Sequence, residues 1–182
     1  MLTQEQRNTL LRIAREAMVA AVNSKPYRPE VSDPELGKPG AAFVTLKKQG
    51  ELRGCIGTVE AHEPLAVNVA KMARASALED PRFPQVRPAE VPDLTIEISV
   101  MSAPAPVADV GDIEVGVHGL IIEQGARRGL LLPQVAVEWG WDCDEFLDHT
   151  CLKAGLPRGS WRSGECKLYS FSAEVFGEET DG

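Results

Sequence analysis

The feature that most constrains the fold is a pair of short strands separated by a turn. Residues 41–48 and 52–58 both have strand character, and Gln49-Gly50-Glu51 between them is a turn sequence. A third segment, 94–100, alternates apolar and polar side chains, as expected where one face of a strand is buried. Such hairpins differ from the strict β-α-β alternation of parallel sheets. The sequence therefore predicts an α+β fold with a mainly antiparallel sheet and packed helices.

Other elements are indicated by helical periodicity and by capping residues. Thr3 and Gln6 have the spacing of a capping box, and Asp142 and Glu145 repeat that pattern later in the chain. Further predicted elements are helices over 3–22, 64–78 and 142–155, a second hairpin over 118–132 and a closing strand over 167–176.

The length of 182 residues fits a single domain, 1–182, with room for two lobes and a flexible tail at 177–182. Residues 3–22 form an amphipathic pattern rather than an export leader, and no segment is long enough for a membrane span. We therefore expect a cytoplasmic protein with no membrane association. Its four cysteines are then reduced thiols rather than a disulfide framework.

The net charge of −8 is unevenly distributed along the chain. Residues 1–91 carry 13 basic and 11 acidic side chains, whereas residues 92–182 carry 6 and 16. An acidic surface repels phosphate backbones, which argues against generic nucleic-acid binding. A small local basic patch in the first half remains compatible with these numbers.

Cys55 is the first candidate for chemistry. Strict alternation along 52–58 places Arg53, Cys55 and Gly57 on one face, and a nearby cation lowers the pKa of a thiol. Glycine in a strand often marks close approach by a ligand or another segment, which adds Gly54 and Gly57 to the candidate site. The alternative is a small structural thiol packed under the hairpin, with Arg53 extending into solvent.

Histidines are the usual bases for a cysteine nucleophile, and the chain has three. His118 lies between glycines at the start of the second predicted hairpin and is the preferred candidate. His62 follows the Cys55 strand at a strand-to-helix turn and is the other candidate. For either residue, a simple structural role is the alternative interpretation.

Asp80, Arg82 and Phe83 form a compact set in a proline-flanked loop. Arg82 could hold a carboxylate or phosphate while Phe83 covers it. Asp80 could equally end the preceding helix or pair with Arg82, which is common for such neighbours. Trp139 and Trp141 could form an aromatic platform or belong to the core.

Neither metal nor cofactor is expected. The cysteines form no C-x-x-C pair, and His149 and Cys151 lie on nearly opposite sides of a helix. The sequence has no P-loop, GxGxxG, HExxH or GxSxG pattern.

Three separated motifs resemble the AMMECR domain family, known in prokaryotes as AmmeMemoRadiSam system protein A. The resemblance covers roughly residues 10–176. Its motifs are LRGCIGT at 52–58, SALEDPRFP at 76–84, and VHGL at 117–120 followed by GLLLPQV at 129–135.

The resemblance implies a larger and a smaller lobe, with the LRGCIG strand beside a cleft between them. It also implies partners, because family members resemble one component of an association with a Memo-like protein and a radical SAM enzyme. It supplies no reaction, and homo-oligomerisation stays open.

Two functions follow as expectations. The first is an accessory or binding subunit that uses the residues around Arg53, Cys55 and Arg82. The alternative is a thiol-dependent enzyme, with Cys55 as nucleophile and His118 or His62 as base, that acts on a small anionic substrate. Redox sensing by Cys55 is a third interpretation.

Overall fold

The computed structural model describes residues 1–179 and confirms the predicted α+β fold with antiparallel pairing. The chain divides into two compact units. The first contains residues 1–101 together with the end of the chain from Glu174, and the second contains Ser102–Ala173.

The first unit begins with helix α1 (Gln4–Val22). The predicted capping box is present: the Thr3 hydroxyl accepts from the Gln6 N–H at 3.2 Å, and the Gln6 side chain accepts from the Thr3 N–H at 2.9 Å. One face of α1 is buried, and its buried residues are Leu10, Ile13, Ala14, Ala17, Met18 and Ala21.

Strands β1 (Ala41–Lys48) and β2 (Glu51–Gly57) form the predicted hairpin. Its turn is one residue shorter than expected, since only Gln49 and Gly50 lie outside the strands. Both have positive φ, 53° and 79°, as a type I′ turn requires. Strand β3 (Leu94–Met101) pairs with the other side of β1, which leaves β2 at the edge of the sheet.

A β-bulge in β2 overturns one prediction about this strand. The register shifts by one residue at Arg53, which has no opposite residue on β1. Strict alternation placed Arg53 and Cys55 on the same face, and this was wrong because the extra residue interrupts the alternation. The Arg53 guanidinium binds Glu90 instead.

Helix α2 (Leu65–Leu78) packs against α1 and against the hairpin. Near its end, the Ser76 hydroxyl accepts from the Ile56 N–H at 2.9 Å and donates to the Val44 carbonyl at 2.7 Å. One side chain of α2 thus contacts both strands of the hairpin. Gly54 permits this approach, because a Cβ at that position would lie 2.2 Å from the Ser76 carbonyl oxygen.

The core of the first unit lies between the two helices and one face of the sheet. Besides the α1 residues, its fully buried members include Val44, Leu46, Val69, Ala73, Ile96 and Ile98. Alternate residues of β1 and β3 supply the sheet side of this core, as their alternation predicts.

The second unit has its own hairpin and helices. The sequence predicted the hairpin, the longer helix and the closing strand. It missed the seven-residue α3, which is too short for a periodic pattern. The elements are β4 (Ala105–Pro106), β5 (His118–Gln124), β6 (Arg127–Leu131), α3 (Pro133–Trp139), α4 (Cys143–Lys153) and β7 (Lys167–Gly177), whose residues from Glu174 belong to the first unit.

The two tryptophans differ in environment. Trp139 is 71% exposed, whereas Trp141 packs partly into the core of the second unit. Trp141 stacks on the His149 ring with centroids 3.9 Å apart, and Trp139 stacks less closely on Trp141, at 6.2 Å. Trp141 therefore has the core role that was one of the two interpretations of this segment.

The first two residues of the expected tail, Gly177 and Glu178, are held by contacts within the first unit. Gly177 ends β7, and Glu178 is fixed by backbone hydrogen bonding to Ile96 and by the Arg15 guanidinium. Residues 180–182 lie outside the described residues. Within residues 1–179, no helix has the length and apolarity needed to cross a membrane.

Replacing Gly54 with alanine tests the contact between β2 and α2. We expect Gly54→Ala to lower the free energy of unfolding by about 1–3 kcal/mol, because backbone must move to admit the new methyl group. Urea unfolding followed by circular dichroism measures this change.

Gly37→Ala is the matched control. A Cβ there would meet its nearest atom at 3.5 Å, an ordinary contact, so we expect a change of less than about 1 kcal/mol. Equal stability of the two variants would show that Gly54 does not hold α2 against the strand.

Candidate functional site

Arg53 joins the edge strand to the segment that precedes β3. Its Nε and Nη2 each donate to a different Glu90 oxygen at 3.2 Å, and its Nη1 donates to the Pro84 carbonyl at 2.9 Å. Both side chains of the ion pair are largely buried. The Arg53 guanidinium, followed by the Arg87 backbone N–H, lowers the pKa of Glu90 to about 2. Arg53 is thus a structural cation rather than a free one.

Asp80 is the most heavily bonded acid of the site and is 5% exposed. Its carboxylate accepts from Arg82 Nη2 at 2.8 Å and from Arg82 Nε and backbone N–H at 3.0 Å each. It also accepts from the Cys55 backbone N–H at 3.0 Å. These donors, Arg82 above all, hold the pKa of Asp80 well below its usual range despite the opposing effect of burial. Asp80 therefore stays ionised near neutral pH.

Arg82 lies between this buried acid and solvent, with its side chain 55% exposed. Its Nη2 also donates to the Cys55 carbonyl at 3.3 Å, and its guanidinium carbon lies 5.5 Å from the centre of the Phe83 ring. The cation that contacts Cys55 is thus Arg82, through the Cys55 carbonyl, whereas the hydrogen bonds of Arg53 go to Glu90 and Pro84. The alternative in which Asp80 pairs with Arg82 is present, and this pairing still leaves more than half of the Arg82 side chain exposed.

The Cys55 thiol is half-buried, and its Sγ lies 3.2 Å from the Thr45 hydroxyl on β1. None of the hydrogen bonds described for Cys55 involves a histidine. His62 is exposed and its Nε2 lies 2.8 Å from a Glu60 carboxylate oxygen. His118 belongs to the second unit, where its Nδ1 accepts from the Glu114 N–H at 2.9 Å.

The two glycines of the strand do not leave space for a ligand. A Cβ at Gly57 would lie 2.2 Å from the Phe43 ring, and the space beside Gly54 is taken by the α2 backbone. Close approach was predicted correctly for both positions, but the approaching groups belong to the chain itself.

Three polar residues that organise the site were not identified from sequence. Ser76 and Glu90 bind the strand as described, and Asn68, 2% exposed, accepts from the Ala42 N–H at 3.0 Å. Glu90 had a local signal, because its carboxylate caps the Arg87 N–H three residues earlier. Within the part of the chain that the structure describes, no three His, Cys, Asp or Glu side chains are grouped so as to hold a metal ion.

Fold and site together define the class of protein. It is an α+β protein in which Asp80 and Arg82 of one loop hydrogen-bond to the edge strand at Cys55. The AMMECR1 family model matches residues 11–176. The chain belongs to the AMMECR1 family.

Relatives and a solved structure agree with this assignment. A Methanopyrus kandleri protein is 46% identical over 188 residues, covering 98% of this chain and 91% of its own. A Methanothermobacter thermautotrophicus protein is 45% identical, with 98% and 97% coverage. The crystal structure of the uncharacterized protein PH0010 from Pyrococcus horikoshii superposes with a TM-score of 0.79 at 42% identity, covering 93% of this chain and 90% of that one.

Removing the Asp80 charge tests how strongly the hydrogen bonds of Asp80 hold its loop against strand β2. We expect Asp80→Asn to lower the free energy of unfolding by about 2–3 kcal/mol at neutral pH, because one oxygen facing N–H donors becomes an NH₂ group. Since the folded pKa of Asp80 is depressed, its contribution is fully present above the unfolded pKa of about 3.9 and is lost as pH falls below it. The wild-type advantage should therefore shrink in acid.

Glu35→Gln is the control for that measurement. Glu35 also pairs with a cation, Lys38, but both side chains are more than half exposed. We expect its effect to stay below about 0.5 kcal/mol at all pH values. If Asp80→Asn changed the free energy of unfolding no more than Glu35→Gln does, Asp80 would not stabilise the contact between its loop and β2.

Cysteine alkylation in the native protein tests the placement of the thiols. Cys55 is half-buried, whereas Cys151 is fully buried, and burial raises the pKa of the Cys151 thiol. We expect iodoacetamide to label Cys55 at least about 100-fold faster than Cys151, which reacts only on unfolding. Mass spectrometry assigns each label, with Cys55→Ser as the control. Equal rates in native protein would contradict this placement.

Proposed function

We propose that the protein is an accessory or binding subunit that recognises its partner through the surface formed by Cys55, Arg82 and Phe83, called here the Arg82 surface. The observation that carries the proposal is the state of Arg82. Its guanidinium is held in one orientation by a buried carboxylate and still presents more than half of its side chain to solvent. A cation fixed in advance loses little side-chain entropy on binding, which favours recognition.

The chemistry available to a partner at the Arg82 surface is that of a fixed cation beside an aromatic ring. Arg82 uses Nε and Nη2 internally, so Nη1 and the outer guanidinium face are free to meet a carboxylate or phosphate group. Arg53 stabilises the loop that carries this surface, because its Nη1 donates to the Pro84 carbonyl next to Phe83.

Binding accounts for these residues better than catalysis does. Asp80 is saturated by four hydrogen bonds and is ionised, so it is poorly suited to proton transfer. The family resemblance supplies the identity of the proposed partners, a Memo-like protein and a radical SAM enzyme.

A thiol-dependent enzyme is the second candidate, favoured by the position of Arg82 next to the half-buried Cys55. In that function Cys55 is the nucleophile and Arg82 holds a small anionic substrate. The two functions differ in one variant. Cys55→Ser abolishes turnover in an enzyme, whereas partner binding, which depends chiefly on Arg82 and Phe83, stays within about threefold of the wild type because serine is nearly the same size.

Partner binding by variants of the Arg82 surface tests the proposal. We expect Phe83→Ala and Arg82→Ala each to weaken binding to the Memo-like or radical SAM protein of the same organism by about tenfold or more. Biolayer interferometry with the immobilised partner measures the Kd. Phe83→Ala leaves the Asp80–Arg82 pair intact and thus separates recognition from folding.

Arg12→Ala is the matched control. Arg12 is also 55% exposed and also pairs with a carboxylate, that of Glu16, but it lies on α1. We expect its Kd to equal that of the wild type. Absence of a complex with both partners, or equal Kd values for all variants, would refute the proposed binding function.

A further inference from the structure

A concave site separate from the Arg82 surface lies in the first unit, formed by α1, α2 and the segment that follows α1. We call it the basic groove, and its volume is about 580 Å³. That volume falls within the range of roughly 300–1,000 Å³ typical of small-molecule sites. None of its lining residues belongs to the Arg82 surface. The cations of the groove are Lys25, Arg28, Lys71 and Arg74.

These cations approach the groove from two sides. Lys25 and Arg28 follow the end of α1, whereas Lys71 and Arg74 are three residues apart and therefore neighbours on one face of α2. No carboxylate lines the groove. In a chain of net charge −8, a groove whose lining has four basic side chains and no acidic one is unexpected.

Most of this positive charge is not neutralised internally. Lys71 is paired with Glu63. Among residues 1–179, the side chains of Lys25, Arg28 and Arg74 form neither an ion pair nor a hydrogen bond. Three free cations around one concavity repel one another unless an anion joins them.

The floor of the groove is apolar. It is formed by one face of each helix, and small side chains there leave the space open: Ala17, Ala21, Val67 and Ala70. The Ala side chains are small and almost completely buried, so the floor presents no polar side chain to a ligand. A ligand that fits both the rim and the floor combines an anionic group with an apolar body.

Tyr27 and Pro29 add a ring to each side of this floor. The Tyr27 hydroxyl donates to Glu16 at 2.8 Å, and burial, followed by this carboxylate, raises the pKa of Tyr27 to about 12. The phenol is therefore neutral, and its half-buried ring can face a planar group. Its hydrogen bond to Glu16 also keeps that carboxylate occupied outside the groove lining.

We infer that the basic groove binds a nucleoside diphosphate, with the phosphates between Arg28 and Arg74 and the base against the apolar floor. Guanidinium groups bind phosphate oxygens in pairs, which suits two arginines on opposite sides of one site. The apolar body of the base distinguishes this ligand from inorganic phosphate or pyrophosphate, and the volume of the groove suits a small molecule rather than an extended polymer. The site is independent of the proposed partner binding.

Isothermal titration calorimetry with ADP, GDP, CDP, UDP and pyrophosphate tests this inference on the full chain at low salt. We expect at least one nucleotide to bind with a Kd below the millimolar range and at least about tenfold more tightly than pyrophosphate. Arg28→Ala and Arg74→Ala should each weaken that nucleotide by about tenfold or more, and higher salt should weaken it further.

Arg158→Ala is the matched control, because Arg158 is exposed and free of partners within the described residues but lies in the second unit. We expect it to bind as the wild type does. Since Arg28 and Arg74 are exposed and unpaired, their loss should leave the fold intact, which circular dichroism verifies.

Three results would overturn the inference. They are no binding of any of the four nucleotides at millimolar concentration, nucleotide binding unchanged in Arg28→Ala and Arg74→Ala, and pyrophosphate binding as tight as that of the nucleotides. None of these results bears on the Arg82 surface, because its partner assay uses different residues and no nucleotide.

Discussion

The first unit depends most on the hydrogen bonds that the Asp80 carboxylate accepts. A buried charge is stable only where hydrogen bonds replace its hydration, and four donors from the loop and from β2 do so here. Because those donors belong to Cys55 and Arg82, one carboxylate determines the position of the strand, of the loop and of the exposed guanidinium. The half-buried thiol and the cation beside it are thus consequences of a single desolvated acid.

The two family motifs of this unit are explained by the same arrangement. Residues of the 52–58 motif supply a bulge, two backbone N–H groups and the side-chain-free position Gly54. Ser76 and Asp80 of the 76–84 motif bind the two N–H groups, and the Ser76 backbone occupies the space beside Gly54. Most of the motif residues therefore serve mutual packing and hydrogen bonding rather than a ligand. Arg82 and Phe83 differ, because structure alone does not require an exposed cation beside a half-buried aromatic ring. This difference is why the proposed recognition surface is centred on them.

Sequence reasoning identified the strands and the long helices because periodicity and caps are local signals. It placed Arg53 on the wrong face because a bulge depends on how the strand fits its neighbours, which alternation alone does not record. It grouped Asp80 with Arg82 correctly, since the two are only two residues apart, but it could not find Glu90 as the partner of Arg53, 37 residues away. The basic groove was visible only as a slight excess of basic residues in the first half, because its cations come from segments distant in sequence.

The way Asp80 and Arg82 contact Cys55 also affects how other chains can approach β2. At the edge of a sheet, every second residue directs its N–H and C=O groups away from the sheet, where they can pair with a strand from another molecule. At Cys55 the N–H donates to the Asp80 carboxylate and the C=O accepts from the Arg82 guanidinium. These two side chains therefore make the hydrogen bonds that a neighbouring strand would otherwise make. The edge is thereby closed to β-augmentation at its centre, and to the fibre-like stacking that open edges invite. A partner that binds here must therefore do so through side chains, which makes recognition dependent on sequence rather than on backbone alone.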